Sequence, residues 1–133
     1  RALIAYLSRA GFKVAAWNRT RQRLIDLIAQ SKSEVALRET ADPAGCRFVI
    51  NATSSSLQGE TLPVLWRNAQ EDAVAIDCFY SRGPTIYQKD AESNGVATVN
   101  GLGLLVRQGA LSFEWWTGTV APLEAMLVAV NED

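Results

Sequence analysis

The chain has 133 residues, of which 48% are hydrophobic and 20% charged, and its 13 basic and 14 acidic side chains leave a formal net charge of −1. This length and composition are typical of a single globular domain with its own core. The near-neutral balance argues against nucleic acid as a partner, because a nucleic-acid-binding surface needs a surplus of Lys and Arg. The sequence has no histidine, which excludes His-dependent catalysis and most zinc sites, so we expect no metal.

The cysteines and the apolar runs indicate the compartment. Cys46 and Cys78 lie far apart in apolar runs, and we expect them to be reduced, buried thiols of a cytoplasmic protein. No apolar run approaches the ~20 residues of a membrane span, so no membrane is expected as a partner. The chain begins at Arg1, and the first predicted helix has no N-cap residue before it, so we expect a piece of a longer protein.

Helical and extended patterns alternate along the chain. Apolar residues recur at helical spacing in some segments and form short continuous runs, typical of strands covered on both faces, in others. The predicted elements are helices over 2–10, from Thr20, around Pro63–Asn68, over Thr85–Ser93, within Asn100–Trp116 and from Pro122, and strands over Lys13–Trp17, Val35–Leu37, Arg47–Ala52, Ala73–Phe79 and 96–99, with a polar loop at 53–60. This alternation predicts an α/β fold with a parallel sheet and right-handed connections.

Basic residues follow the strand over Lys13–Trp17. They are Arg19, Arg21 and Arg23, with Asn18 and Thr20 among them. In a dinucleotide-binding fold the adenosine ribose is bound at the end of the second strand, where an acidic residue accepts from the 2′-hydroxyl of NAD and basic residues bind the 2′-phosphate of NADP. The residues present favour NADP. A solvated basic helix start with an ordinary Thr cap is an equally weighted alternative.

Two further polar clusters follow strands. Asn51–Ser54 could present donors to a cofactor ribose, although side chains of this kind in turns usually satisfy their own backbone. The segment Asp77–Gly83 contains Tyr80, which points either into a crevice or along the core with its hydroxyl in water.

Four segments together carry a family resemblance. They are WNRTRQR, INATSSS, IDCFYSRGPT and NGLGLLVRQGALSFEWWTG, in this order. From Arg1 to Gly118 the chain resembles the C-terminal nucleotide-binding domain of shikimate dehydrogenase. The resemblance implies a Rossmann-like parallel sheet with flanking helices, in one domain over 1–133, that binds NADP. It also implies NADP-dependent, reversible reduction of 3-dehydroshikimate to shikimate, a step of aromatic amino acid biosynthesis.

The resemblance also assigns site residues. The adenosine-phosphate clamp corresponds to Asn18, Arg19, Thr20 and Arg23, and the loop beside the cofactor to Asn51, Ala52 and Thr53. The nicotinamide end corresponds to Cys78 and Gly101, and the substrate contacts to Tyr80 and Gln108. No catalytic residue is assigned to this chain, since the family's catalytic Lys and Asp belong to its N-terminal substrate domain. The lysines here, Lys13, Lys32 and Lys89, are expected on the surface.

Some residues depart from the family pattern. Ser81–Arg82 and Thr85–Gln88 replace the usual continuation after Tyr80, and Leu104 replaces a usual Met. These changes also fit a shikimate dehydrogenase-like or quinate/shikimate dehydrogenase paralogue. A non-catalytic nucleotide-binding module is a further alternative, and the protein is expected to be a monomer or a homodimer.

The family's first strand and glycine-rich loop are expected before Arg1. That strand lies at the centre of the sheet, so a chain without it exposes two unpaired strand edges. We predict that the isolated chain of 133 residues is poorly folded or pairs an edge with a neighbouring copy. Thermal unfolding followed by circular dichroism, with the mass from light scattering, tests this, and a sharp two-state transition of a monomer would contradict it.

Overall fold

The computed structural model describes residues 2–31 and 33–130, and its elements follow the predicted alternation. The helices are α1 (Ala2–Arg9), α2 (Arg21–Ser31), α3 (Ser55–Gln58), α4 (Ile86–Ser93), α5 (Leu102–Thr117) and α6 (Leu123–Ala129). The strands are β1 (Val14–Ala16), β2 (Val35–Leu37), β3 (Phe48–Asn51), β4 (Val74–Asp77) and β5 (Ala97–Val99).

Two segments differ from their predictions. The predicted helix around Pro63–Asn68 is only a 3-10 turn over Trp66–Asn68, because the Leu65 N–H donates to the carbonyl oxygen of Ala41, at 3.0 Å, outside any helix. The loop at 53–60 contains the short helix α3, which ends at Gly59 with a φ of 69°. Glycine adopts this left-handed conformation without the steric penalty that a side chain brings.

The described residues fall into two compact units. Unit 1 comprises the residues up to Asp42 together with Pro63–Leu65, and unit 2 comprises Pro43–Leu62 and the residues from Trp66 onward. In unit 1, β1 and β2 form a two-stranded parallel sheet, and α1 contacts β1. The prediction that residues 1–133 form one domain stays a prediction.

Unit 2 contains a three-stranded parallel sheet in the order β3-β4-β5. Asn51 pairs with Asp77 at the ends of β3 and β4, and Ile76 pairs with Val99. Helix α4 packs against β4 and β5, and α5 contacts α6. Because the strands are parallel, the polar residues that follow β3 and β4 lie at the same edge of this sheet.

Aromatic side chains connect α4 to the sheet of unit 2. The rings of Trp66 and Tyr87 are buried, with centroids 5.4 Å apart, and the Trp66 indole N–H donates to Asp90 at 2.7 Å. The Tyr87 hydroxyl donates to the carbonyl oxygen of Val49, at 2.9 Å. Burial, and then the charge of Asp77, raise the pKa of Tyr87, so its hydroxyl remains a donor at neutral pH.

We predict that Tyr87→Phe lowers the free energy of unfolding by about 1 kcal/mol, because the ring stays in place and only the hydrogen bond to Val49 is lost. Chemical denaturation of the complete polypeptide encoded by the gene measures this difference. An unchanged free energy of unfolding would show that the bond contributes nothing to stability.

Candidate functional site

Arginines surround the first turn of α2 in unit 1. They are Arg19, Arg21 and Arg23, and α2 has no acidic residue in its first turn. The first turn of a helix carries a partial positive charge, so these arginines reinforce a potential that attracts anions. Because the guanidinium group presents a planar set of donors that matches phosphate, this basic cluster is chemically suited to a phosphate group.

A cavity of about 120 Å³ lies beside the basic cluster. It is lined by Trp17, Asn18, Arg19, Arg21, Leu24, Leu37, Arg38 and Glu39. Of the predicted clamp residues, Asn18 and Arg19 line this cavity, whereas Thr20 and Arg23 are exposed residues outside its lining. Asn18 shapes the turn between β1 and α2, since its Oδ1 accepts from the Thr20 N–H at 2.8 Å.

Sequence reasoning missed Arg38 and Glu39. Both follow β2, which pairs in parallel with β1, so they reach the same edge of the sheet as the basic cluster. Arg38 is fixed at its backbone by a bond to the Ala16 carbonyl, at 2.9 Å, and at its guanidinium by a bond to the Asp42 carbonyl, at 2.7 Å. Glu39 forms an ion pair with Arg21. The parallel register of two short strands was the signal that could have found them.

Hydrogen bonds of its own side chains hold the loop after β3 in place. Asn51 is 2% exposed, and its side-chain NH₂ lies 3.2 Å from Ser55 Oγ, 3.1 Å from Ser56 Oγ and 3.2 Å from Asp77 Oδ1. Its Oδ1 accepts from the N–H and the hydroxyl of Thr53, at 3.0 and 2.7 Å. The side chains of Asn51 and Thr53 therefore satisfy the loop itself, as the local alternative predicted. Within this loop Ala52 and Thr53 are exposed.

Asp77, the last residue of β4, is fully buried. Its Oδ1 accepts from Asn51 Nδ2 and from the Phe79 N–H at 3.1 Å, and its Oδ2 accepts from the hydroxyls of Ser56 at 2.5 Å and Thr85 at 2.7 Å. Four donors thus surround one carboxylate. Sequence reasoning placed Asp77 in a polar cluster but gave it no role.

Cys78 and Gly101 lie close together through the backbone. The Gly101 N–H donates to the Phe79 carbonyl at 3.1 Å, and a Cβ at position 101 would lie 2.5 Å from the Cys78 carbonyl oxygen. Burial, and then the Asp77 charge, raise the pKa of the Cys78 thiol, so it stays protonated and weakly nucleophilic at neutral pH. These two predicted cofactor residues therefore meet, and they offer backbone groups rather than a reactive thiolate.

The predicted substrate residues both reach the surface of unit 2. Tyr80 is 47% exposed, and its ring stacks on Phe79 with centroids 5.9 Å apart. Gln108 is exposed on α5, and its backbone carbonyl oxygen accepts from the Ser112 hydroxyl at 2.9 Å. Both side chains are accessible to a ligand. Lys13 and Lys89 are exposed as predicted, and Lys32 lies outside the described residues.

Two kinds of feature are absent from residues 2–31 and 33–130. No helix there has the length and apolar character needed to cross a membrane. No group of three or more Cys, Asp or Glu residues in the same part of the chain is placed to hold a metal ion.

Comparisons with known proteins agree on one family. A family model described as the shikimate 5′-dehydrogenase C-terminal domain matches residues 101–130, which contain α5 and α6. A shikimate dehydrogenase (NADP(+)) of Halorubrum lacusprofundi is 33% identical over 137 residues, covering 100% of this chain and 50% of the relative. The chain thus spans about half the length of this curated relative.

Two solved structures with different names are similar to this chain in fold. The shikimate 5-dehydrogenase of Thermus thermophilus, in complex with NADP(H) and shikimate, matches with a TM-score of 0.78 and 28% identity, over 95% of this chain and 48% of that one. The ligand-free 5-ketofructose reductase of a Gluconobacter species matches with a TM-score of 0.80 and 25% identity, over 98% of this chain and 51% of that one.

Gly101 tests the contact between α5 and the segment after β4. Its φ of −79° suits any residue, so the restriction at this position is space. We predict that Gly101→Ala destabilises unit 2 by about 1–3 kcal/mol, because the methyl group would overlap the backbone of Cys78 and Phe79.

Gly103→Ala is the matched control, since nothing lies within 4 Å of a Cβ there. Alanine in the helix is expected to be neutral or to stabilise it by ~0.5–1 kcal/mol. Chemical denaturation compares the two variants, and equal stability would contradict the close approach at Gly101.

Proposed function

Because the chain belongs to the shikimate dehydrogenase family as its C-terminal domain, we propose that it is the cofactor-binding part of an NADP-dependent oxidoreductase. The reaction is the reversible reduction of 3-dehydroshikimate to shikimate, a step of aromatic amino acid biosynthesis. The observation that carries the choice of cofactor is the basic cluster beside the cavity of unit 1. Cys46 and Cys78, which are half-buried rather than buried as predicted, support a cytoplasmic location as thiols without a disulfide.

The residues of unit 1 fit the adenosine 2′-phosphate. Arg19 and Arg21 line the cavity, and the first turn of α2 adds its partial positive charge. At the end of β1, where an NAD-binding protein places an acidic residue to accept from the ribose, this chain has Asn18 and Arg19. Glu39, the acidic residue of the lining, is paired with Arg21. Thr20 and Arg23 complete the proposed clamp from the exposed side.

Unit 2 contributes backbone and polar side chains. NADPH, when bound, supplies the hydride. The loop Asn51–Thr53 and the backbone at Cys78 and Gly101 contact the cofactor, with no side chain there acting as acid or base. Tyr80 and Gln108 orient the substrate by hydrogen bonds, which they can form because both are exposed. No residue of this chain is assigned to proton transfer.

A second candidate is a related reductase with a different substrate. The likeness to the 5-ketofructose reductase structure, together with the changed residues Ser81–Arg82, favours it. Absorbance at the reduced-nicotinamide band, with the complete polypeptide, NADP or NAD, and shikimate or quinate, distinguishes the two. Turnover of shikimate with NADP supports the first proposal. NADP binding without turnover of either substrate favours another substrate or a non-catalytic module.

We predict that Arg19→Ala raises the KM for NADPH by roughly 10- to 100-fold, as expected for one lost charge-assisted hydrogen bond, with a much smaller change in kcat. Steady-state kinetics with NADPH and NADH measure the effect separately. Because NADH lacks the 2′-phosphate, its KM should be unaffected.

Arg9→Ala is the control for this measurement. Arg9 is an exposed arginine of the same unit, in the last turn of α1, so its loss lowers the net charge equally without touching the cavity. An equal loss of activity with NADH in Arg19→Ala, or an equal effect of Arg9→Ala, would contradict a 2′-phosphate site at Arg19.

A further inference from the structure

The geometry points to Asp77 as the positioning residue of unit 2: its carboxylate holds the loop after β3 and the segment after β4 in the arrangement that binds the cofactor. This inference rests on the proposed function for the identity of the ligand. The positioning itself is argued from the hydrogen bonds alone.

The first argument is that Asp77 is buried and that both of its carboxylate oxygens accept hydrogen bonds. Asp77 is 0% exposed, and each of its oxygens accepts two hydrogen bonds. A buried carboxylate is stable only when the chain supplies its donors, and hydrogen bonds to a charged group are stronger than those between neutral groups. Each donor is therefore held to a defined place by a strong bond to one rigid group.

The second argument is where the donors come from. Asn51 ends β3, Ser56 belongs to α3, and Phe79 follows β4. The carboxylate thus binds both ends of the Asn51–Ser56 loop. Through Phe79, whose carbonyl accepts from Gly101, it also connects to the start of α5.

The fourth donor fixes α4 as well. Thr85 is the N-cap of α4 and forms a capping box with Gln88, in which Thr85 Oγ1 accepts from the Gln88 N–H at 3.2 Å and Gln88 Oε1 accepts from the Thr85 N–H at 3.0 Å. The Thr85 hydroxyl donates its own hydrogen bond to Asp77 Oδ2. Both segments proposed to contact the cofactor are therefore connected to the same carboxylate and, through Thr85, to α4.

Asp77→Asn in the complete polypeptide tests the inference. An amide has the size of the carboxylate but accepts at one oxygen only, so part of the donor set loses its acceptor. We expect amide hydrogen exchange of residues 51–56 and 78–80, measured without ligand, to accelerate by roughly tenfold or more. We also expect the Kd for NADP⁺, measured by calorimetry, to rise by roughly tenfold, because displaced contact groups bind less well.

Two other variants separate positioning from general stability. Ser56→Ala keeps the carboxylate and removes one of its four donors, together with the bond that the Ser56 hydroxyl accepts from Asn51. It should show the same changes at smaller size even if Asp77→Asn folds poorly. Tyr87→Phe removes a different buried bond of unit 2, from α4 to β3, and should leave both the exchange of these segments and the Kd unchanged.

The outcomes are distinct. Faster exchange of both segments and weaker NADP⁺ binding in the Asp77 and Ser56 variants, but not in Tyr87→Phe, support the inference. Unchanged exchange, or equal changes in all three variants, overturn it. If the wild-type protein fails to bind NADP⁺, the proposed function is wrong, and the exchange measurement still decides whether Asp77 positions the segments.

Discussion

The arrangement of unit 2 depends on the carboxylate of Asp77, which has no contact with solvent. Asp77 must be satisfied by the chain around it, and the four donors that do so come from separate places: the end of β3, α3, the second residue after β4 and the N-cap of α4. If one element shifted alone, a buried acceptor or a donor would lose its partner. These elements therefore keep their places together, and the apolar packing of Trp66 and Tyr87 supports them from the side of α4.

The two units offer ligands different kinds of groups. In unit 1 the arginines lie at the surface of a cavity, so what they offer a ligand is positive charge. In unit 2 the side chains of Asn51 and Thr53 are used inside the loop, and Gly101 brings one backbone segment against another. Among the residues predicted to bind a ligand in that unit, the exposed ones are Ala52, Thr53, Tyr80 and Gln108.

Local patterns in the sequence predicted the strands and the long helices well, because short apolar runs and helical spacing are properties of neighbouring residues. The same patterns failed at α3, where a run of serines favours a turn, and at Trp66–Asn68, where a bond from Leu65 replaces the helical one. The role of Asp77 was not predictable, since its bonds to Asn51 and Ser56 join residues 26 and 21 positions apart. The predicted site residues themselves came from the family resemblance, and their roles stay predictions.

The separation of these partners along the chain also affects how unit 2 folds. Asn51 and Asp77 are paired ends of parallel strands, so the intervening crossover must be ordered before their bond can form. We expect bonds that require both strands in register to form late, and interactions absent from the folding transition state act mainly by slowing unfolding. The carboxylate of Asp77 is therefore also expected to lengthen the lifetime of the folded unit.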